Sequence, residues 1–143
     1  MIIVDTNVIS EFMGTPPGRS VLEWLNAQDA VTLYITSISV AEIELGLQMM
    51  PVGKHQQLLS QQFEQFLAVA FDTRILGFDA KAAKYYANCR ATRRKIGRPI
   101  STLDAQIAGI CRANGFVLAT RNIKDFEDSD IELVNPFEDP SAA

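Results

Sequence analysis

Met1-Ile2-Ile3-Val4-Asp5-Thr6-Asn7-Val8 is the stretch that decides the fold. An apolar run rich in β-branched residues leads straight into an acid and two small polar residues. A short, unbroken apolar run of this kind reads as a strand covered on both faces, as in parallel sheets. The chain leaves the sheet at Asp5, so this carboxylate is expected at the carboxyl end of the strand. In open α/β sheets that edge is where ligands bind.

Outward from this strand, helical and strand patterns alternate. A short helix is expected over Val8 to Met13, broken by Gly14 and the Pro16-Pro17 pair. Thr15 before Pro16 reads as an N-cap with proline at the first helical position, opening a helix that buries Val21, Trp24 and Leu25. Thr32 to Thr36 is rich in β-formers and reads as the second strand. Ser39-Val40-Ala41-Glu42 has capping-box spacing and predicts a helix to about Met50. Leu59, Phe63, Phe66, Leu67 and Ala70 recur at helical spacing, and Val69 to Phe71 is expected as a brief third strand. Asp79 looks like the cap of a helix to about Ile96, ended by Gly97 and Pro99. Ser101 to Asp104 starts the next helix, with Leu103, Ile107, Ile110 and Cys111 on one face and Gly115 at its end. Phe116 to Ala119 reads as another buried strand, Thr120 to Asp125 as a polar turn and Ile131 to Val134 as a last strand. The alternation predicts a three-layer α/β/α domain over 1–136, its mainly parallel central sheet flanked by helices. An acidic coil tail over 137–143 follows.

Composition narrows the function. With 143 residues, 48% hydrophobic and 21% charged, the chain has the make-up of an ordinary globular domain with its own core. No apolar run approaches the roughly 18 residues that span a bilayer, and no basic segment precedes a signal-length apolar core. A cytoplasmic protein is expected. Cys89 and Cys111 fall in helical patterns without a CxxC or Cys/His cluster, so small buried thiols are expected rather than a zinc site. His55, the only histidine, stands in a polar run and reads as a solvated side chain. Phosphate-cradling G-x-x-x-x-G-K-[ST] and G-x-G-x-x-G motifs are absent, so no nucleotide cofactor is suggested. The net charge of −4 speaks against a generic nucleic-acid coat, although the Arg90 to Arg98 segment is strongly basic. That segment either delivers phosphates, through Arg93, Arg94 and Arg98, or solvates a helix end where cations suit the dipole.

Four acids are expected to share one edge of the domain. Asp5 ends a strand, Glu42 and Asp104 each stand three residues after a serine at a helix start, and Asp125 follows a buried strand. Strand carboxyl ends and the helix starts beside them meet at the same edge. Such a cluster is repulsive unless it takes up protons or a cation. Hard oxygen donors select Mg²⁺, or Mn²⁺ in its place, and such an ion can assist in-line displacement at phosphorus. Each acid also has a plain reading: a capping glutamate at 42, a dipole partner at 104, a solvated loop acid at 125. A polar triplet directly after a buried strand is harder to explain by packing.

Four segments, in order, resemble a known family. They are Ile3 to Val8, Ser39 to Gly46, Pro99 to Ala108 and Leu118 to Phe126. Together they are similar to PIN-domain proteins, most of all to the VapC and FitB-like toxins of type II toxin–antitoxin systems. The resemblance runs from residue 1 to about Pro136. It implies an Mg²⁺-dependent endoribonuclease inhibited by a cognate VapB- or FitA-like antitoxin. It also implies an RNA substrate, a homodimer, a higher toxin–antitoxin assembly, no membrane, and DNA reached only through the antitoxin. Asp5, Glu42 and Asp104 match the family's acidic metal-site positions. In Thr120-Arg121-Asn122 an asparagine stands where many relatives carry an acid, which leaves Asp125 to complete the set. Thr6, Asn7, Thr120 and Asn122 would then position the acids or the substrate.

Two other functions stay open on the sequence alone. One is a PIN-like module that has lost catalysis and works by binding its antitoxin or RNA, as Asn122 suggests. The other is a phosphatase with Asp5 as nucleophile, but that chemistry wants an acid two residues later, where Asn7 stands.

Overall fold

The protein is described by a computed structural model that covers residues 1–14 and 16–138. Its strands are β1 (Ile2–Val4), β2 (Leu33–Thr36), β3 (Ile75–Leu76), β4 (Val117–Ala119) and β5 (Leu133–Val134). They form one parallel sheet in the order β3-β2-β1-β4-β5. β1 is the middle strand: Ile2 pairs with Leu33 of β2 on one side and with Val117 of β4 on the other. The helices are α1 (Thr6–Phe12), α2 (Arg19–Asn26), α3 (Ser37–Gln48), α4 (Lys54–Phe66), α5 (Ala80–Lys95), α6 (Thr102–Asn114) and α7 (Ile123–Phe126).

The apolar start of the chain is buried from both sides, as its composition predicts. Ile3 and Val4 are both fully buried, and successive strand residues point to opposite faces. Ile3 packs with Ala82 and Cys89 of α5, Ala105 to Cys111 of α6, and Phe126 of α7. Val4 packs with Val8 and Ile9 of α1, Val21 of α2, Ile43 and Leu47 of α3, and Phe63. This is the expected α/β/α layering, with α5 to α7 on one face and α1 to α4 on the other. Both cysteines are buried free thiols, and burial pushes the Cys111 thiol well above its usual range.

On the α5–α6 side two helix backbones come very close. A Cβ at Gly109 of α6 would lie 2.6 Å from the Ala82 carbonyl oxygen and 3.0 Å from the Tyr86 nitrogen of α5. The small residues of both helices make that approach possible, at the conformational cost of glycine inside a helix.

Several local expectations shift. Thr15 lies outside the described residues, and α2 opens at Arg19 with Gly18 as its cap, so the prolines precede the helix. Val69 to Phe71 is not a strand: Leu67–Phe71 continues α4 as a π-helical turn, closed by Asp72 N–H donating to the Leu67 carbonyl at 2.8 Å. Its side chains divide as on a helix, with Phe71 in the core and Val69 79% exposed, and the third strand follows at Ile75–Leu76. Leu103 is exposed, while Ile107, Ile110 and Cys111 are buried. Thr120 to Asp125 is not all turn, because α7 begins at Ile123. The ordered contacts run past Pro136, since Phe137 packs against the Val4 side of the core. The rest of the expected acidic tail, 139–143, lies outside the described residues.

Candidate active site

The sheet order creates the place where a site can form. Connections from β1 run outward through β2 to β3, then return to the other side of β1 at β4. Helices after β1 and after β4 therefore leave on opposite faces, which opens a crevice at the carboxyl ends of these two strands. Asp5 directly follows β1 and Thr120 directly follows β4.

Asp5 has two tasks. In extended conformation it caps α1, its Oδ1 accepting the Thr6 N–H at 2.8 Å. Its Oδ2 accepts the Thr120 hydroxyl at 2.8 Å and the Asn7 side-chain amide at 3.3 Å. Thr120 is fully buried, and its hydroxyl also accepts from Asn7 Nδ2 at 3.3 Å and from the Asn122 N–H at 3.0 Å. Asn7 Oδ1 in turn accepts the Arg121 N–H at 3.1 Å. The polar triplet at the strand end thus ties the loop after β4 to the loop after β1.

Glu42 arrives from α3. The spacing to Ser39 is not a capping box: Thr36, the last residue of β2, caps α3 by accepting the Ser39 N–H at 3.1 Å. Glu42 therefore lies in the second turn, released from the capping role that would have explained it. Its Oε1 instead accepts from the Thr6 hydroxyl at 3.1 Å, and Thr6 Oγ1 lies 2.9 Å from Ser39 Oγ. Asp104 arrives from α6, which leads back into β4 and so starts at the sheet's carboxyl edge. Here the serine does cap, with Ser101 Oγ accepting the Asp104 N–H at 3.2 Å.

These three acids line one cavity of about 440 Å³ together with Thr6, Asn7 and Asn122. Ser10, Glu11 and Arg121 complete its wall. Ser10 and Glu11 are absent from the expected set, although they lie three and four positions after Asn7, on the same helical face. Asp125 is outside the cavity lining. It sits in the first turn of α7, exposed, and is felt at the site only as a charge on Asp104.

Crowding of the acids shows in their protonation. Burial raises the Asp5 carboxyl, which is only 4% exposed, and the Asp104 charge adds to the effect, against the hydrogen bonds from Thr120, Thr6 and Asn7. Burial also raises Glu42, helped by the charges of Asp5 and Asp104 and opposed by the Thr6 hydrogen bond. Asp104 is raised by burial and by Asp125, against the Ser101 hydrogen bond and the Arg93 cation. An oxygen-only donor set that resists carrying its own charge suits a hard divalent cation. Among the described residues no three His, Cys, Asp or Glu side chains form a ready-made cage for an ion. The arrangement fits an ion that keeps much of its water and touches few carboxylates, as Mg²⁺ does.

Residues 2–131 match the PIN domain. The chain belongs to the PIN-domain family. It is 44% identical over 138 residues to the plasmid stability protein StbB of Pseudomonas syringae pv. tomato, covering 96% of this chain and 99% of that one. To the VapC ribonuclease Y4jK of Sinorhizobium fredii it is 40% identical, with the same coverage. Its fold matches a chain in the solved structure of FitAB bound to an IR36 DNA fragment, with TM-score 0.91, 34% identity and 96% of both chains covered.

The basic stretch of this PIN domain is less free than its sequence suggests. Arg93 is only 4% exposed and is not a phosphate contact. Its guanidinium donates to the carbonyls of Arg98 at 2.7 Å and Asp125 at 2.9 Å and to Ser129 Oγ at 3.1 Å, which ties the end of α5 to α7. Arg98 is held by Glu127 and Asp128 in a half-exposed ion pair. Arg94 stays exposed, beside Arg90, Pro99 and Ile100. The cation-rich end of α5 is thus partly structural.

Proposed function

We propose that this PIN domain is the toxin of a type II toxin–antitoxin pair, a divalent-cation-dependent endoribonuclease that a cognate antitoxin holds inactive. The observation that carries this reading is the meeting of Asp5, Glu42 and Asp104 in one cavity at the β1/β4 crevice, with the first two carboxylates accepting from threonine hydroxyls and the Asp104 N–H donating to the Ser101 cap. The ribonuclease name of the relative Y4jK supports RNA as substrate, and the FitAB complex supports a protein partner. A homodimer and a larger toxin–antitoxin assembly belong to the same reading. No described helix is long and apolar enough to cross a membrane, and a cytoplasmic site of action fits an RNA substrate.

Asp5, Glu42 and Asp104 would hold the cation, Mg²⁺ or Mn²⁺, directly or through its waters, with Asp125 contributing charge from outside. When bound, the ion neutralises the acids and the approaching phosphate and makes water a better nucleophile. The chain's own residues do the rest. Thr120, Thr6 and Asn7 hold the Asp5 carboxylate in one orientation, so no reorganisation is needed as charge builds at phosphorus. Hydrolysis forms a bond from a water oxygen to phosphorus and breaks a phosphorus–oxygen ester bond. A cluster carboxylate whose proton affinity burial has raised is a better base for the water's proton than an exposed one. The apolar groove of about 480 Å³ lined by Phe12, Met13, Phe66, Val69 and Ala70 suits an antitoxin helix laid against α1 and α4.

Purified, antitoxin-free protein is expected to cleave RNA with Mg²⁺ or Mn²⁺ and to stop when EDTA is added. RNA cleavage that persists in EDTA would sink the cation-dependent reading. A folded protein that binds RNA or antitoxin without turnover under any cation would instead support the non-catalytic module. A second expectation concerns Thr120. Thr120→Val keeps the shape of the side chain but removes the donor to Asp5 and the acceptor for Asn7 and Asn122. Cleavage should fall by roughly 10–100-fold with a higher cation requirement, and Thr120→Ser should recover most of it. Titration of the rate against Mg²⁺ concentration checks both.

A further inference from the structure

An acidic cavity repels the strand it is meant to cut, so a fixed cation beside it has chemical value. The basic end of α5 does not supply one there, since Arg93 is buried, Arg98 is paired with acids, and Arg90 and Arg94 line a different pocket. Among the described residues Arg121 is the only Lys or Arg that lines the acidic cavity. It has no carboxylate within ion-pair distance among the described residues. Its guanidinium carbon lies 4.0 Å over the ring centroid of Phe137. Phe137 is itself fixed, packed on the core and donating its N–H to Asn135 Oδ1 at 2.9 Å. The Arg121 backbone is pinned as well, through its N–H to Asn7 Oδ1.

We propose that Arg121, stacked on Phe137, is the residue that receives a phosphate of the RNA strand next to the acidic cavity. This rests on the ribonuclease reading above. A guanidinium uses its face to stack and its edge to donate, so the Phe137 contact leaves the in-plane N–H groups open to phosphate oxygens. Stacking also removes rotamer freedom that a surface arginine would otherwise lose on binding. Asn7 connects the two halves of the site, because the side chain that bonds the Asp5 carboxylate also holds the Arg121 backbone. Phosphate and acids are thereby held in a fixed relation.

Fluorescence anisotropy with a labelled, mixed-sequence 20-mer oligoribonucleotide tests this, run in Ca²⁺ over a salt series beside cleavage kinetics in Mg²⁺. Arg121→Gln should weaken binding roughly tenfold at low salt, the effect of one charge-assisted contact. Its plot of log affinity against log salt should lose about 0.7 of slope, the share of one phosphate on a single strand. In cleavage, KM should rise by a similar factor while kcat changes little. Arg121→Lys should keep the salt slope but not the full affinity, and Phe137→Leu should do the same, since both keep the charge and lose the stack. Unchanged affinity and slope in a folded Arg121→Gln protein would overturn the assignment while leaving the nuclease intact. A wild type that neither binds nor cleaves RNA would overturn this assignment and the ribonuclease reading together.

Discussion

Asp104→Asn is expected to slow RNA cleavage severely and, in EDTA, to make the protein more stable. The loss follows from the cavity: Asp104 is one of three acids from separate segments, and asparagine keeps its size without its charge. Removing one such group should lower the rate by a factor on the order of 10²–10³. The gain follows from the same crowding. Burial and the nearby Asp125 raise the Asp104 carboxyl above its ordinary 3.8, and the Asp104 charge helps raise Asp5 and Glu42. A carboxyl raised by folding favours the folded state only while protonated. Its contribution is present below the ordinary value and is lost as pH rises through the raised one. At neutral pH without a cation the cluster therefore opposes folding. The variant should melt about 2–4 °C above wild type at pH 7 and low salt, the gap closing toward pH 4 and at high salt. Saturating Mg²⁺ should raise the wild type more than the variant. Thermal denaturation with and without EDTA at both pH values, beside an RNA cleavage assay, checks each part. A variant that melts lower than wild type in EDTA at neutral pH would mean that Asp104 is a structural residue first.

Gly109→Ala is expected to cause a large loss of stability from a very small change. The added methyl carbon would lie 2.6 Å from the Ala82 carbonyl oxygen, and α5 backbone cannot yield as a flexible side chain would. The two helices must move apart, and the buried residues between them, Cys89, Ile107 and Ile110 among them, lose contact. Overpacking of this kind costs about 1–3 kcal/mol, which before any offset would lower Tm by roughly 3–10 °C in a domain of this size. Alanine's better helix propensity offsets about 1 kcal/mol at most. Differential scanning calorimetry gives the answer, and an unchanged or higher Tm would mean that α5 can give way without loss. Because α6 carries Asp104 at its first turn, the variant should also cleave more slowly than its folded fraction accounts for.

The strand that opens the chain is legible because burial on both faces leaves no polar position in Ile2–Val4, and the acid that follows has no packing reason to be there. Helix starts are legible only where the side chain wins the local competition. Ser101 does cap α6, but at Ser39 the preceding strand ends on Thr36, one turn earlier, and takes the cap. That competition cannot be read from S-x-x-E spacing alone, and losing it frees Glu42 for the cavity. Arg93 shows a missed signal that was available. It stands on the same face of α5 as the buried Ala82 and Cys89, at spacings that fit a helical stripe. A charge on a core face asks for buried acceptors, and the carbonyls of Arg98 and Asp125 provide them. Asp125 misled for the opposite reason: α7, only four residues long, has too little periodicity to announce itself and turns that side chain outward. The Arg121–Phe137 pair joins residues on either side of α7 and β5, and nothing in either neighbourhood signals it.

The central place of β1 has a consequence for synthesis. β1 is made before its neighbours and waits longest for one of them, because β4 begins only at Val117. Contacts so distant in sequence form late and close long loops. A nascent or truncated chain that stops short of Thr120 has Asp5 without its hydroxyl donor, and one that stops short of Ser101 has no Asp104 at all. Interrupted translation before Thr120 thus releases fragments in which the acidic cavity cannot assemble, and the proposed activity requires synthesis through β4.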